Sequence, residues 1–156
     1  METIDLVRYV IKKYPLPEEL SKARLNKIIY LIDWKSAIEK QRQLTNIHWL
    51  FNHYGPYVRE IESLIIEDPR FKIEQTTNFY GGEKNIITLK DDQSFIEPSN
   101  EEKIIIEFIM EKTRRLYWDK FINLVYSTYP IISQAKGSNL DLVQLAKEYK
   151  ELKESN

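Results

Sequence analysis

Leu25, Ile28, Ile29 and Ile32 recur at the i, i+3, i+4, i+7 spacing of one helix face, and Leu31, Trp34 and Ile38 add a second stripe beside it. A helix apolar around this much of its circumference is predicted to lie at the centre of the fold, with Ser21 as its N-cap. Ahead of it, Val7, Val10, Ile11 and Tyr14 predict an amphipathic helix that Pro15 and Pro17 end, because proline has no amide donor and disfavours helix in the residue before it. Ile47, Trp49 and Phe51 alternate as a strand does; a short helical turn would bury them as well, and the extended reading is adopted. Gly55 suits a cap or a turn and Pro56 the first position of a helix, where a missing amide costs nothing. A helix with Val58, Ile61, Leu64 and Ile65 on its apolar face is therefore predicted from this point, closing at Asp68 and Pro69.

Further on, Phe71, Ile73, Gln75, Thr77 and Phe79 alternate, Gly81 and Gly82 supply a turn, and Ile86 to Leu89 return, which predicts an antiparallel hairpin. An isolated hairpin is marginal in water, so its apolar face must pack on helices or pair with another strand. Ser99-Asn-Glu-Glu102 is a capping box ahead of a helix with Ile104, Ile105, Phe108 and Ile109 on its apolar face. Trp118, Phe121, Ile122 and Val125 predict another helix as far as Pro130. Leu142, Leu145, Ala146, Tyr149 and Leu152 predict the last one, with the tail from Lys150 to Asn156 expected to fray. The whole reads as a mainly helical α+β domain over residues 1–156, of about six helices, two or three short strands and a peripheral β-hairpin.

Composition narrows the chemistry. A chain of 156 residues, 42% hydrophobic, is long enough to bury a core without disulfides. A formal charge of -1 leaves no overall positive field to hold nucleic acid. The absence of cysteine removes disulfides, thiolate zinc sites and cysteine nucleophiles, and fits a cytoplasmic protein. The first residues lack a basic leader followed by an apolar core, and there is no 18-residue apolar run, so neither export nor a membrane span is expected.

No catalytic constellation is legible. None of the serines sits in a Gly-x-Ser-x-Gly elbow, and no Walker loop or dinucleotide fingerprint occurs. His48 and His53, five apart in a turn-rich stretch, lack the i, i+4 spacing of a helical zinc site, and are expected to be partly buried and hydrogen-bonded near the turn. No catalytic residue, metal or cofactor is assigned. Lys22, Arg24, Lys27 and Lys35 on one helix and Lys112, Arg114 and Arg115 on another could form basic stripes for a nucleic-acid-binding regulator. Against this stand 24 acidic residues that would make them ordinary charged surface. Trp34, Trp49, Tyr54 and Tyr57 could together leave an amphipathic aromatic patch, the kind of surface binding hot spots use, although core packing is the commoner role for any one such ring.

Two stretches carry a family resemblance: Ser21-Lys-Ala-Arg-Leu-Asn-Lys-Ile-Ile-Tyr-Leu-Ile-Asp-Trp34 and Tyr54-Gly-Pro-Tyr-Val58. Weaker echoes are Leu124-Val-Tyr-Ser-Thr-Tyr-Pro130, with Tyr126 where that family is expected to place a histidine, and Asp141-Leu-Val-Gln-Leu-Ala-Lys-Glu-Tyr149. Over roughly residues 20–150 the chain resembles the Panacea domain of SocA-like antitoxins and phage-associated proteins. The resemblance implies a non-enzymatic protein that binds and neutralises a partner toxin, directly or as an adaptor that delivers the toxin to a protease complex. No cofactor and no specific nucleic acid are expected, given the missing motifs and the formal charge of -1. The residues put forward for partner binding are Trp34, Trp49, His53, Tyr54, Gly55, Pro56 and Tyr57. The other readings are a phage accessory protein that antagonises a host defence by protein binding, and a nucleic-acid-binding regulator. The region around Phe79 and Tyr80 is the next candidate surface.

Overall fold

The computed structural model describes residues 1–77 and 80–155, so Phe79 lies outside the described residues. The first helix, α1 (Thr3–Lys13), stops where Tyr14 turns extended ahead of Pro15, and a short 3-10 turn, Pro17–Glu19, leads into α2 (Lys22–Lys40). The Ser21 hydroxyl accepts the Arg24 amide at 3.2 Å, as an N-cap should. At the other end Gln41 adopts a left-handed conformation, and its amide donates to the Ala37 carbonyl.

Then follow β1 (Trp49–Asn52), β2 (Gly55–Tyr57), α3 (Glu60–Glu67), β3 (Phe71–Thr77), β4 (Glu83–Leu89), α4 (Asn100–Thr113), α5 (Trp118–Tyr126), α6 (Tyr129–Ser133), β5 (Asn139–Leu140) and α7 (Leu142–Glu154). The fold is mainly α with β, as expected, with seven α-helices and five strands among the described residues. The added helix is α6: α5 ends at Ser127, and Pro130 sits in the first turn of a new helix instead of closing the old one. The end of α7 stays helical through Glu154, so the expected fraying from Lys150 does not occur there.

As predicted, α2 is central. It touches α1, α4, α7, β2 and β4, and its Leu25, Ile28, Ile29 and Ile32 are buried. The capping box of α4 is formed in both directions between Ser99 and Glu102. The buried face of α4 is shifted from the expected one: Ile105, Ile106, Ile109 and Met110 are core, whereas Ile104 is 69% exposed and Phe108 42%. A run of three consecutive isoleucines, Ile104 to Ile106, fits two helix faces, and packing against α2 selects one.

Strands β3 and β4 form the predicted hairpin, with Phe71 opposite Leu89 and Ile73 opposite Ile87. Its apolar side is covered: β4 packs on α1 and the 3-10 turn, Ile87 and Phe71 are buried, and Ser21 bridges to Ile86. Phe95 packs edge-on against Phe71 and lies between two guanidinium groups, Arg70 at 3.7 Å and Arg8 at 5.3 Å. Arg8, itself buried, also pairs with Asp92 and Glu97 and so fastens the chain ahead of α4 onto α1.

The other sheet runs β2-β1-β5, antiparallel throughout. Asn52 faces Gly55, so His53 and Tyr54 form the hairpin turn. The predicted helix start at Pro56 is thus corrected: Pro56 lies in the edge strand β2, where a missing amide also costs nothing, and α3 begins only at Glu60.

Candidate functional site

Asn26, Tyr30 and Asp33 stand at i, i+4 and i+7 on α2, one face in an otherwise apolar stretch. Each fastens a different part of the β1–β2 unit. The Asn26 carboxamide donates to the Val58 carbonyl at 2.7 Å and accepts its amide at 3.2 Å, pairing the chain just beyond β2. Tyr30 meets the Trp49 ring edge-on at 5.5 Å, and its hydroxyl shares a 2.8 Å hydrogen bond with that of Thr128.

Asp33 is fully buried. Its carboxylate accepts the amides of Leu44 and Thr45 at 3.0 and 3.1 Å, the Thr45 hydroxyl at 2.5 Å, the Trp49 indole N–H at 2.9 Å and the Gln43 carboxamide at 3.3 Å. Among the described residues no cation pairs with it. Burial raises its pKa to about 6, while the bonds from Thr45, Trp49 and the Leu44 amide pull it down. A carboxylate facing only donors is the ionised form, and above pH 6 that form stands. Ser36 adds a 2.7 Å bond to the Arg42 carbonyl, so α2 grips the 42–49 segment at two levels.

The aromatic turn is shaped by glycine. Gly55 has φ +96°, and a side chain there would meet the Tyr126 ring at an ordinary 3.5 Å, so backbone conformation rather than crowding demands glycine. Tyr126, the residue standing where a histidine was expected, is therefore the surface against which the turn lies. The Asn52 side chain accepts the His53 amide at 2.8 Å, and Tyr54, at the tip, is 82% exposed.

The seven proposed contact residues separate into two groups. Trp34 and Trp49 are 7% and 1% exposed and belong to the core, Trp34 against Tyr149 and Trp49 against Tyr30 and Asp33, so the expected shared aromatic surface does not form. Gly55 and Pro56 are buried; His53 and Tyr54 are exposed. Tyr57 is half-buried with its hydroxyl on Glu62 at 3.2 Å. Both histidines are exposed, contrary to the expected partly buried pair, and neither side chain has a hydrogen-bond partner among the described residues. Among those residues no group of three His, Cys, Asp or Glu could hold a metal ion.

The basic stripe on α2 dissolves. Arg24 is buried and donates to the Tyr14 hydroxyl and to the carbonyls of Thr113 and Leu116, with its guanidinium 4.4 Å from the Phe121 ring centre. Lys27 is buried and desolvation lowers its pKa, Lys22 pairs with Glu62, and Lys35 pairs with Glu39. The second stripe is broken by an Arg114–Glu111 pair.

Beside the Asp33 cluster lies an open groove of about 810 Å³ between the 42–49 segment and residues 139–143. Neither this groove nor Asn26 and Asp33 stood out in the sequence. The signal available was the polar i, i+4, i+7 line within the apolar stretch.

Helices wrapped around one buried helix, whose polar residues clamp a small sheet with an aromatic turn, define a mainly helical α+β domain. A family model, Antitoxin SocA-like, Panacea domain, matches residues 25–130, and the chain belongs to that family. The matched span holds α2 from Leu25 onward, the Tyr54 turn and the Tyr126 helix; the Ser21 cap and the helix resemblance from Asp141 to Tyr149 lie outside it. No curated protein and no solved structure matches the chain. Membership of an antitoxin family suggests an antitoxin role and a protein partner. No helix among the described residues is long and apolar enough to cross a membrane.

Proposed function

We propose that this protein neutralises a protein toxin by binding it in the cytoplasm, with no chemical change to either chain. The observation that carries the reading is the family match over residues 25–130, which takes in both the central helix and the turn it supports. An exposed tyrosine on a turn braced by Gly55, Asn52 and Tyr126 is a rigid, amphipathic contact of the kind that anchors interfaces. In this reading His53, Tyr54 and the exposed side of Tyr57 touch the toxin. Gly55 and Pro56 shape the turn, Trp49 supports it from beneath, and Trp34 holds α2 in place against α7.

The test is co-expression with the product of the neighbouring reading frame. If that product is toxic, growth should recover and the intact masses of both chains should be unchanged. A covalent change to the toxin that requires this protein would overturn the proposal. Toxin levels separate the two routes: direct binding leaves the toxin abundant, whereas an adaptor depletes it and fails in cells lacking the protease.

A further inference from the structure

The wall of the groove beside Asp33 is built from residues that have two jobs. Gln43, Thr45 and Trp49 hold the Asp33 carboxylate from one side and line the groove from the other. Burying an ionised carboxylate without a cation is costly, and apolar packing at the same place would be the more stable choice. What the cluster provides is a single fixed conformation for residues 43–49, which would otherwise be an irregular loop.

The β1–β5 pairing stops at Trp49 opposite Leu140, because Asp141 leaves the ladder to cap α7. The groove opens where the two segments part. Four side chains enter it, those of Arg42, Asn46 and His48 from one side and of Asn139 from the other, while Asp141 also lines it with a carboxylate that accepts the Gln144 amide at 3.1 Å. Among the described residues, none of these four side chains has a hydrogen-bond or ion-pair partner. Arg42 is the one cation lining the groove and has no acidic partner among the described residues; Lys13, Arg59 and Arg115 also lack one but do not line it. A carboxamide offers one acceptor beside two donors, which matches the C=O and N–H of a peptide group, and a guanidinium matches a carboxylate.

We propose that this groove receives an extended, acidic stretch of the partner protein, its main chain held by Asn46 and Asn139 and a carboxylate held by Arg42. The inference rests on the reading of the partner as a protein and adds a second contact to the Tyr54 turn. Main-chain bonds supply attachment, and the Arg42 contact supplies the preference for acid. A groove open to solvent suits a chain that passes through it.

The probe is the peptide acetyl-Val-Glu-Val-Glu-Val-Thr-amide, with versions carrying glutamine or lysine in place of glutamate, titrated into the isotope-labelled protein and followed by amide chemical shifts. Saturable shifts confined to residues 42–49 and 139–143 are expected. The lysine peptide should bind at least tenfold more weakly, and Arg42→Glu should invert that order. The double variant Asn46→Ala, Asn139→Ala should weaken the glutamate and glutamine peptides alike by about tenfold with melting unchanged, because both residues are exposed. No shifts at millimolar peptide, shifts scattered over other surfaces, or indifference to the charge swap would overturn the proposal. So would free glutamate binding as tightly as the hexapeptide, which would mark a small-anion site. No toxin is needed, so failure here leaves direct neutralisation standing, and failed growth rescue with normal peptide binding counts against that reading alone.

Discussion

Asn26 and Asp33, two helical turns apart on one face of α2, hold opposite ends of the stretch that runs from Gln43 to Val58. At a rise of about 1.5 Å per residue the two clamps are some 10 Å apart along the axis. The β1–β2 hairpin is hung between them. The position of the Tyr54 turn is thus set by two buried polar side chains that themselves touch no solvent.

Replacing Asp33 by alanine leaves two amides, a hydroxyl and an indole N–H without their acceptor. Asp33→Asn turns a carboxamide donor toward the same donors. Either change should lower folding stability by roughly 2–5 kcal/mol, measured by chemical denaturation. Asn26→Ala, with one lost pair of bonds to Val58, should cost about 1–3 kcal/mol. Losses below 0.5 kcal/mol in all three would show that the clamps do not hold the hairpin.

Stability should peak near pH 5. Asp33 binds its proton more tightly folded than unfolded, so its contribution falls as pH rises from about 4 to 6 and is level above that. Its rise from 3.8 to about 6 corresponds to roughly 3 kcal/mol at most. Glu62, Asp68, Asp92 and Glu97, lowered chiefly by Lys22, Arg70, Lys12 and Arg8 in turn, act the opposite way. Their contribution is complete above the ordinary carboxylate range and is lost as pH falls through it. Denaturation curves from pH 3 to 8 test this, and Asp33→Asn should flatten the slope between pH 4 and 6.

At the turn, fold and function separate by residue. Gly55→Val forces a β-branched residue to φ +96° and should cost on the order of 1–3 kcal/mol. Tyr54→Ala should leave the melting temperature within a degree or so and weaken toxin binding by roughly 2 kcal/mol. Tyr57→Ala should do some of both, because its ring is half-buried and its hydroxyl bonds to Glu62. A Tyr54→Ala variant that binds at full strength would remove the turn from the interface.

Duplex DNA should be bound no more tightly than non-specific levels, about 10⁻⁴ to 10⁻⁶ M at physiological salt. Two of the five cations on α2 are in the core, and the other three are paired. Sub-micromolar, sequence-selective binding by fluorescence anisotropy would restore the regulator reading.

Local signals made much of this fold legible. Pro15, the Ser21 cap, the Ser99–Glu102 box and the alternation from Phe71 to Leu89 all act within a few residues; the first three formed where the sequence placed them, and the hairpin formed with its return strand starting at Glu83, ahead of the expected Ile86. Gly55-Pro56 misled because proline fits the first turn of a helix and an edge strand equally well, and only pairing with β1 decides between them. The candidate site was read less well for the same reason. Whether Trp34 or Tyr54 is exposed depends on partners far along the chain, such as Tyr149 and Tyr126. Arg24, Lys27 and Asp33 look like surface charge until the segments that enclose them are in place.

The most direct test of the central claim is calorimetry between the purified protein and the purified toxin, compared with growth rescue across Tyr54→Ala, Arg42→Glu and the parent chain. Direct neutralisation predicts sub-micromolar binding by the parent, both masses unaltered in the complex, and rescue that weakens in the same order as affinity. Full rescue with no measurable binding at tens of micromolar would contradict it.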